Sequence, residues 1–200
     1  MKQALKTLLA AGMLFLAAPV ATSANPQSVY TKLDLEKDCK FTETHEQGGR
    51  AVCTGYRQWP VHFSEGDLRQ QVRYGFQGNI KTGWESFGQF NRINDTIEWR
   101  LENGKPYATI LRWFIENMDP DTGAVSKKYL GNVLVISSVG TTEKPGSCIV
   151  GYVDARANGN ANQIARDVAD TLVRKFICGQ DLPAFHGVRG ELSGNPTSLR

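Results

Sequence analysis

The strongest constraint on the fold is a pair of β-rich runs, TIEWRL (96–101) and PYATILRWFIEN (106–117), joined by Glu-Asn-Gly-Lys. Asn-Gly between such runs is a strong hairpin signal, because both residues tolerate the positive φ of a tight, correctly twisted turn. Burial then selects the register, since a one-residue slip moves every side chain to the opposite face. A two-residue loop at Asn103-Gly104 sets Trp99 opposite Ala108 and Arg100 opposite Tyr107, which mixes the faces. A three-residue loop through Lys105 sets Leu101 by Tyr107, Trp99 by Thr109 and Ile97 by Leu111. That keeps an apolar face continuous with Trp113 and Ile115, so the three-residue loop is expected. The opposite face carries Glu98, Arg100, Glu102 and Arg112, with Ala108, Ile110 and Phe114 among them. It reads either as an ion-recognition strip or as a solvated sheet face.

Further strands are expected at VYTKLDL (29–35), 51–56, 60–63, LRQQVRYGF (68–76), 129–139 and 148–153, with a Glu- and Gly-rich loop before residue 51. VLVIS within 129–139 is continuously apolar, as suits a central strand covered on both sides. Asn158 to Asn160 offer an N-cap for a helix of about 17 residues. Ile164, Val168, Leu172 and Phe176 form its apolar stripe, while Arg166, Asp167, Asp170 and Arg174 are expected to face away. Residues 179–200 lack periodicity and read as a flexible tail. The expectation is an α+β fold: an antiparallel sheet of about six to eight strands with one C-terminal amphipathic helix packed on a face.

Residues 1–24 read as a secretory signal peptide. Lys2 and Lys6 precede an 11-residue apolar run, Leu8 to Ala18, and Ala21 to Ala24 supply small residues for cleavage. The run is short for a membrane span, and no later stretch is long enough for one. Losing Lys2 and Lys6 takes the formal net charge from +3 to +1, which removes the case for a nucleic-acid partner. Residues 25–178 then form a single domain. The four cysteines lie in this part, and disulfides are the expected state in an oxidising compartment. Four cysteines allow three connectivities. Cys39–Cys53 and Cys148–Cys178 are favoured because each closes one local unit. The loop-entropy model gives each roughly 3–4 kcal/mol. No Cys-x-x-Cys occurs, and His45, His62 and His186 lack ligand spacing, so neither a metal nor a cofactor is expected.

The candidate chemistry concentrates in SEGDLRQQVRYG (64–75) and WESFGQFN (84–91). Glu65, Asp67 and Glu85 are carboxylates of the kind that acid–base or glycosidase chemistry pairs. They read equally as turn-forming acids with Arg69 and Arg73 as partners. Trp84, Phe87 and Phe90 form either a stacking platform for sugars or peptides, or a plug over the core. Asp154, Arg156 and Asn158 precede the helix, where backbone N–H groups attract anions. A tie between loop and sheet explains them as well. No G-x-S-x-G is present, which leaves nucleophilic hydrolysis without a motif.

Taken together, SVYTKLDL with Cys39, EGDLR, WESFGQFN, TIEWRL, PYATILRWF and CIVGYVDARANGNANQIARDVAD resemble a family of exported alphaproteobacterial proteins. The resemblance covers most of residues 28–178 and implies a periplasmic setting. It brings no assigned activity and no catalytic residues. The expectation is a non-enzymatic module binding an envelope protein or glycan, with Glu65, Asp67, Arg69, Trp84 and Glu85 as its surface. The rival expectation is an envelope polysaccharide hydrolase using Glu65 or Glu85 as its acid.

Overall fold

In a computed structural model of the chain, described over residues 25–78 and 83–198, the Asn103-Gly104 hairpin is the spine of the fold. The proposed signal peptide, residues 1–24, lies outside the described residues. Strands β1 (Gln27–Lys32), β2 (Cys39–His45), β3 (Gly48–Tyr56), β4 (Trp59–Gly66), β5 (Arg69–Tyr74) and β6 (Glu85–Phe87) precede the hairpin pair, β7 (Phe90–Glu102) and β8 (Lys105–Met118). β9 (Val125–Ser138), β10 (Ile149–Asp154), helix α1 (Ala161–Leu172), β11 (Ala184–Phe185), a short 3₁₀ turn (Glu191–Ser193) and β12 (Pro196–Ser198) complete the order.

Among the described residues there are 12 strands in three sheets, where a single sheet of six to eight was expected. The large sheet runs β1-β7-β8-β9-β10-β11, antiparallel except for the β10–β11 pair. A second sheet, β2-β3-β4-β5, packs on one of its faces, and β12 pairs with β6. The helix covers the other face. It is not C-terminal, because more than twenty residues follow it and return to the sheets. β2, placed by the sequence in a loop, is an edge strand whose side chains are almost all exposed. It carries no apolar alternation to betray it.

Alternation along the central strands builds two cores. Ile97, Trp99, Leu101, Leu111, Trp113, Ile115, Val133 and Val135 face the second sheet, meeting Ala51, Cys53, Val61, Phe63, Val72 and Tyr74. Ala108, Ile110, Leu134, Ile136, Val150 and Val153 face the helix. VLVIS is therefore buried from both sides, as its composition implies. Alanines at 161, 165 and 169 bring the helix backbone close to the sheet.

The hairpin departs from expectation at its tip. The turn is a two-residue one, with Asn103 at φ 51° and Gly104 at φ 74°, and Glu102 opposes Lys105. Leu101 then faces Pro106 rather than Tyr107, and a bulge restores Arg100 to Ala108, Trp99 to Thr109 and Ile97 to Leu111. The favourable turn and the favourable register coexist because the bulge absorbs one residue.

The middle of the hairpin's polar face is not solvated. Glu98 and Arg100 are only 8% and 6% exposed, beneath the helix. Arg166 and Asp170, expected to face away, reach them. Arg166 Nε donates to Glu98 at 2.7 Å, and Arg100 donates to both oxygens of Asp170 at 2.9 and 2.5 Å. The Tyr107 hydroxyl also donates to Asp170, and Ser28 donates to Glu98. Long arginines at the flank of an apolar stripe span from helix to sheet, so wheel position alone misjudges them.

Both favoured disulfides are formed, Cys39–Cys53 across β2 and β3 and Cys148–Cys178 between β10 and the segment after the helix. Among the described residues, no helix is long and apolar enough to cross a membrane. The segment after Cys178, read as a flexible tail, lies along the sheets. β11 pairs with β10, and Phe185 packs on Tyr152. The Gly190 N–H donates to Asp154, and Asn117 donates to the Leu192 carbonyl.

Candidate functional site

The second sheet turns its apolar face inward, so the alternate residues of its strands form an outer face. Register aligns two cross-strand rows there: Arg50, Ser64 and Gln71, and beside it Val52, His62 and Arg73. The chain leaving β5 and the chain entering β6 curl over this face through Gln77, Gly83 and Trp84. The result is a cleft of about 390 Å³ lined by both rows and these residues, with Thr42, Ala51 and Phe63 completing it. Among the described residues its lining contains two arginines, one histidine, two glutamines, two hydroxyls and one indole, and no carboxylate.

Arg73 is the pivot. Its guanidinium donates to the Gly83 carbonyl, and Gln71 is best oriented with its amide oxygen accepting from Arg73 Nη2 at 3.1 Å and from the Glu85 N–H at 2.8 Å. Arg73 Nε is buried and has no partner among the described residues. Beneath Arg73 lies Glu85, whose carboxylate accepts from the Ile149 N–H at 3.3 Å. Burial pushes Glu85 up to about 7, against the opposing pull of the Arg73 cation and the Ile149 N–H. Burial also lowers the pKa of His62, assisted by Arg73 and opposed by the Gly75 carbonyl, so the imidazole is neutral at pH 7. Its Nε2 is 3.0 Å from that carbonyl, which makes Nε2 the protonated nitrogen and leaves Nδ1 as an acceptor. Arg50 lies at the open side, its Nε 3.5 Å from Glu43.

The five residues singled out by sequence fall in three places. Trp84 lines the cleft. Glu85 sits under it, against β10. Glu65, Asp67 and Arg69 gather at the β4–β5 turn, where Gln70 donates to Glu65 at 2.8 Å. Asp67 and Leu68 occupy that turn with φ of 50° and 58°. Arg69 bonds Asp67 at 2.5 Å and the Gly88 carbonyl at 2.9 Å, and lies over the Phe90 ring. This cluster clamps the turn to the start of β7. Phe87 is fully buried, so of the three loop aromatics only Trp84 lines the cleft.

Asp154, Arg156 and Asn158 serve as ties. Asp154 accepts from the N–H groups of Arg156, Ala157 and Gly190, and Arg156 donates to the carbonyls of Lys128 and Leu130. Asn158 does not cap the helix; it holds Val188 through both its amide nitrogen and its amide oxygen. Among the described residues, no cluster of three or more His, Cys, Asp or Glu is arranged to hold a metal ion.

From sequence, Arg50 and Gln71 do not stand out, Arg73 reads only as a partner for turn acids, and His62 only as a histidine without ligand spacing. The signal was present as polar residues alternating with the apolar ones of each strand. It becomes a site only once three strands are placed in register. Comparison with known protein families, curated proteins and solved structures finds no match to this chain.

Proposed function

We propose that the chain is a non-enzymatic binding module of the bacterial periplasm whose outer-face cleft takes a sugar chain of the envelope. The observation that carries this is the juxtaposition of Trp84 with two ordered rows of polar side chains in one open cleft. An indole face stacks on the apolar side of a sugar ring, while amides, hydroxyls and guanidinium groups bond its hydroxyls. Two disulfides in a chain with a signal-like N-terminus support the export that this setting requires. A paired-carboxylate hydrolase gains no support from the cleft. Glu65 and Glu85 have different partners, and neither lines it.

Trp84 also provides the assay. Trp59, Trp99 and Trp113 are buried at 8%, 0% and 1% exposure, leaving Trp84 as the most accessible of the four indoles. Titration with envelope-derived oligosaccharides should shift the tryptophan emission. Trp84→Phe should abolish the shift, and Trp84→Ala should weaken binding while leaving the circular dichroism unchanged. Binding that survives Trp84→Ala at full affinity would place the ligand elsewhere and overturn this reading.

A further inference from the structure

We infer that the sugar this cleft takes is acidic, its carboxylate held by Arg73 and Arg50. This rests on the glycan reading above and names the chemical class of its ligand.

The charge that lines the cleft is one-sided. Among the described residues the lining holds two guanidinium groups and no carboxylate, although the chain without residues 1–24 is close to neutral. The partners of the Arg73 guanidinium toward the cleft, the Gly83 carbonyl and the Gln71 amide, are neutral. Glu85 attracts the Arg73 cation from beneath but does not line the cleft. Arg50 meets Glu43 only at 3.5 Å, with both side chains more than half exposed, a pairing that contributes little. The two arginines occupy neighbouring cross-strand rows, on strands separated by β4, and open onto one space. A planar guanidinium accepts a carboxylate through paired N–H donors, a stronger contact than it makes to a hydroxyl. Neutral His62, with Nδ1 as an acceptor, and the indole of Trp84 then serve the rest of the ring. A neutral sugar offers neither guanidinium a counter-charge from within the cleft.

The test titrates the mature chain with oligomers of galacturonic acid and of glucuronic acid, each beside its carboxyl-reduced neutral counterpart. Tryptophan emission and calorimetry are the readouts. The acidic forms should bind at least about tenfold more tightly than the reduced ones, the size expected when a charged hydrogen bond is lost. That advantage should shrink with added salt and disappear in both Arg50→Gln and Arg73→Gln. Arg50 is exposed, so Arg50→Gln tests the inference even if Arg73→Gln fails to fold. Lys37→Gln, which removes one charge away from the cleft, should leave affinity unchanged. Equal binding of acidic and reduced oligomers overturns the acidic inference and leaves the glycan reading standing. An acid preference that persists in Arg50→Gln, or that falls equally in Lys37→Gln, also overturns it. No binding of any oligomer overturns both.

Discussion

Glu85 shows how one residue's environment can set a pH dependence. The folded chain holds the Glu85 proton to about pH 7, whereas the side chain's ordinary value is 4.5. Folding therefore favours the protonated form, and stability from this group is highest below about pH 4.5 and falls as pH rises toward 7. The full shift amounts to roughly 3 kcal/mol. Glu85→Gln keeps an acceptor for the Ile149 N–H and removes the charge. Its stability relative to the parent should rise by about 2–3 kcal/mol between pH 5 and pH 8, measured by urea unfolding at each pH. A difference that stays flat with pH would mean that Glu85 ionises normally in the folded chain. The position of Glu85 beside an aromatic is plain in the sequence, but its burial is not. WESFGQFN reads as a loop whose aromatics either form a platform or plug the core, and only the pairing of β12 with β6 and the contact with β10 show that Glu85 is buried with it.

At the scale of elements, helix and sheet are joined by charge as well as by apolar contact. Arg100, almost fully buried, is answered by Asp170 on the helix. Burial pushes the Asp170 carboxyl up, but hydrogen bonds from Arg100 and Tyr107 outweigh it and hold the carboxyl below its ordinary value. Asp170→Ala leaves a cation under the helix without its partner and should cost about 3 kcal/mol by denaturant unfolding at pH 7. That loss should begin to diminish as the pH falls through the ordinary carboxylate range and vanish only below it, where the folded parent's lowered carboxyl finally takes up its proton. A cost below about 0.5 kcal/mol at pH 7 would show that water replaces Asp170 at no loss. The helix itself was legible from its four-residue stripe, although it ends at Leu172 after 12 residues, short of the roughly 17 expected and of Phe176. Its contact with Glu98 and Arg100 was not, because periodicity assigns a residue to a side of the helix but does not measure how far an arginine reaches.

Across the whole molecule, the C-terminal segment connects the layers. β11 extends the large sheet, while β12 pairs with β6, the strand that carries Glu85 and follows Trp84. The Asn195 N–H donates to Gln89 at 2.9 Å, and the Gly88 N–H to the Asn195 carbonyl at 2.8 Å. A chain ending at Cys178 keeps both disulfides and both apolar cores but loses these bonds. It should lose more than about 5 °C in Tm, and its Trp84 emission should shift toward that of a solvent-exposed indole. An unchanged Tm and emission would make the segment dispensable.

The sequence by itself determined the strands of the central hairpin, its deep register, the doubly buried strand and the helix, and it favoured, without fixing, the cysteine pairing. Each follows from local chemistry: alternation, an Asn-Gly turn, a four-residue stripe, or closure of a nearby loop. Tertiary structure alone decided that Arg50, His62 and Arg73 share a cleft, that Glu85 lies buried beneath it, and that residues 184–198 return along the sheets to hold β6. These are relations between strands far apart in the chain. The free energy that establishes them, burial of the inner face of the second sheet, leaves no mark on the polar residues it aligns outside.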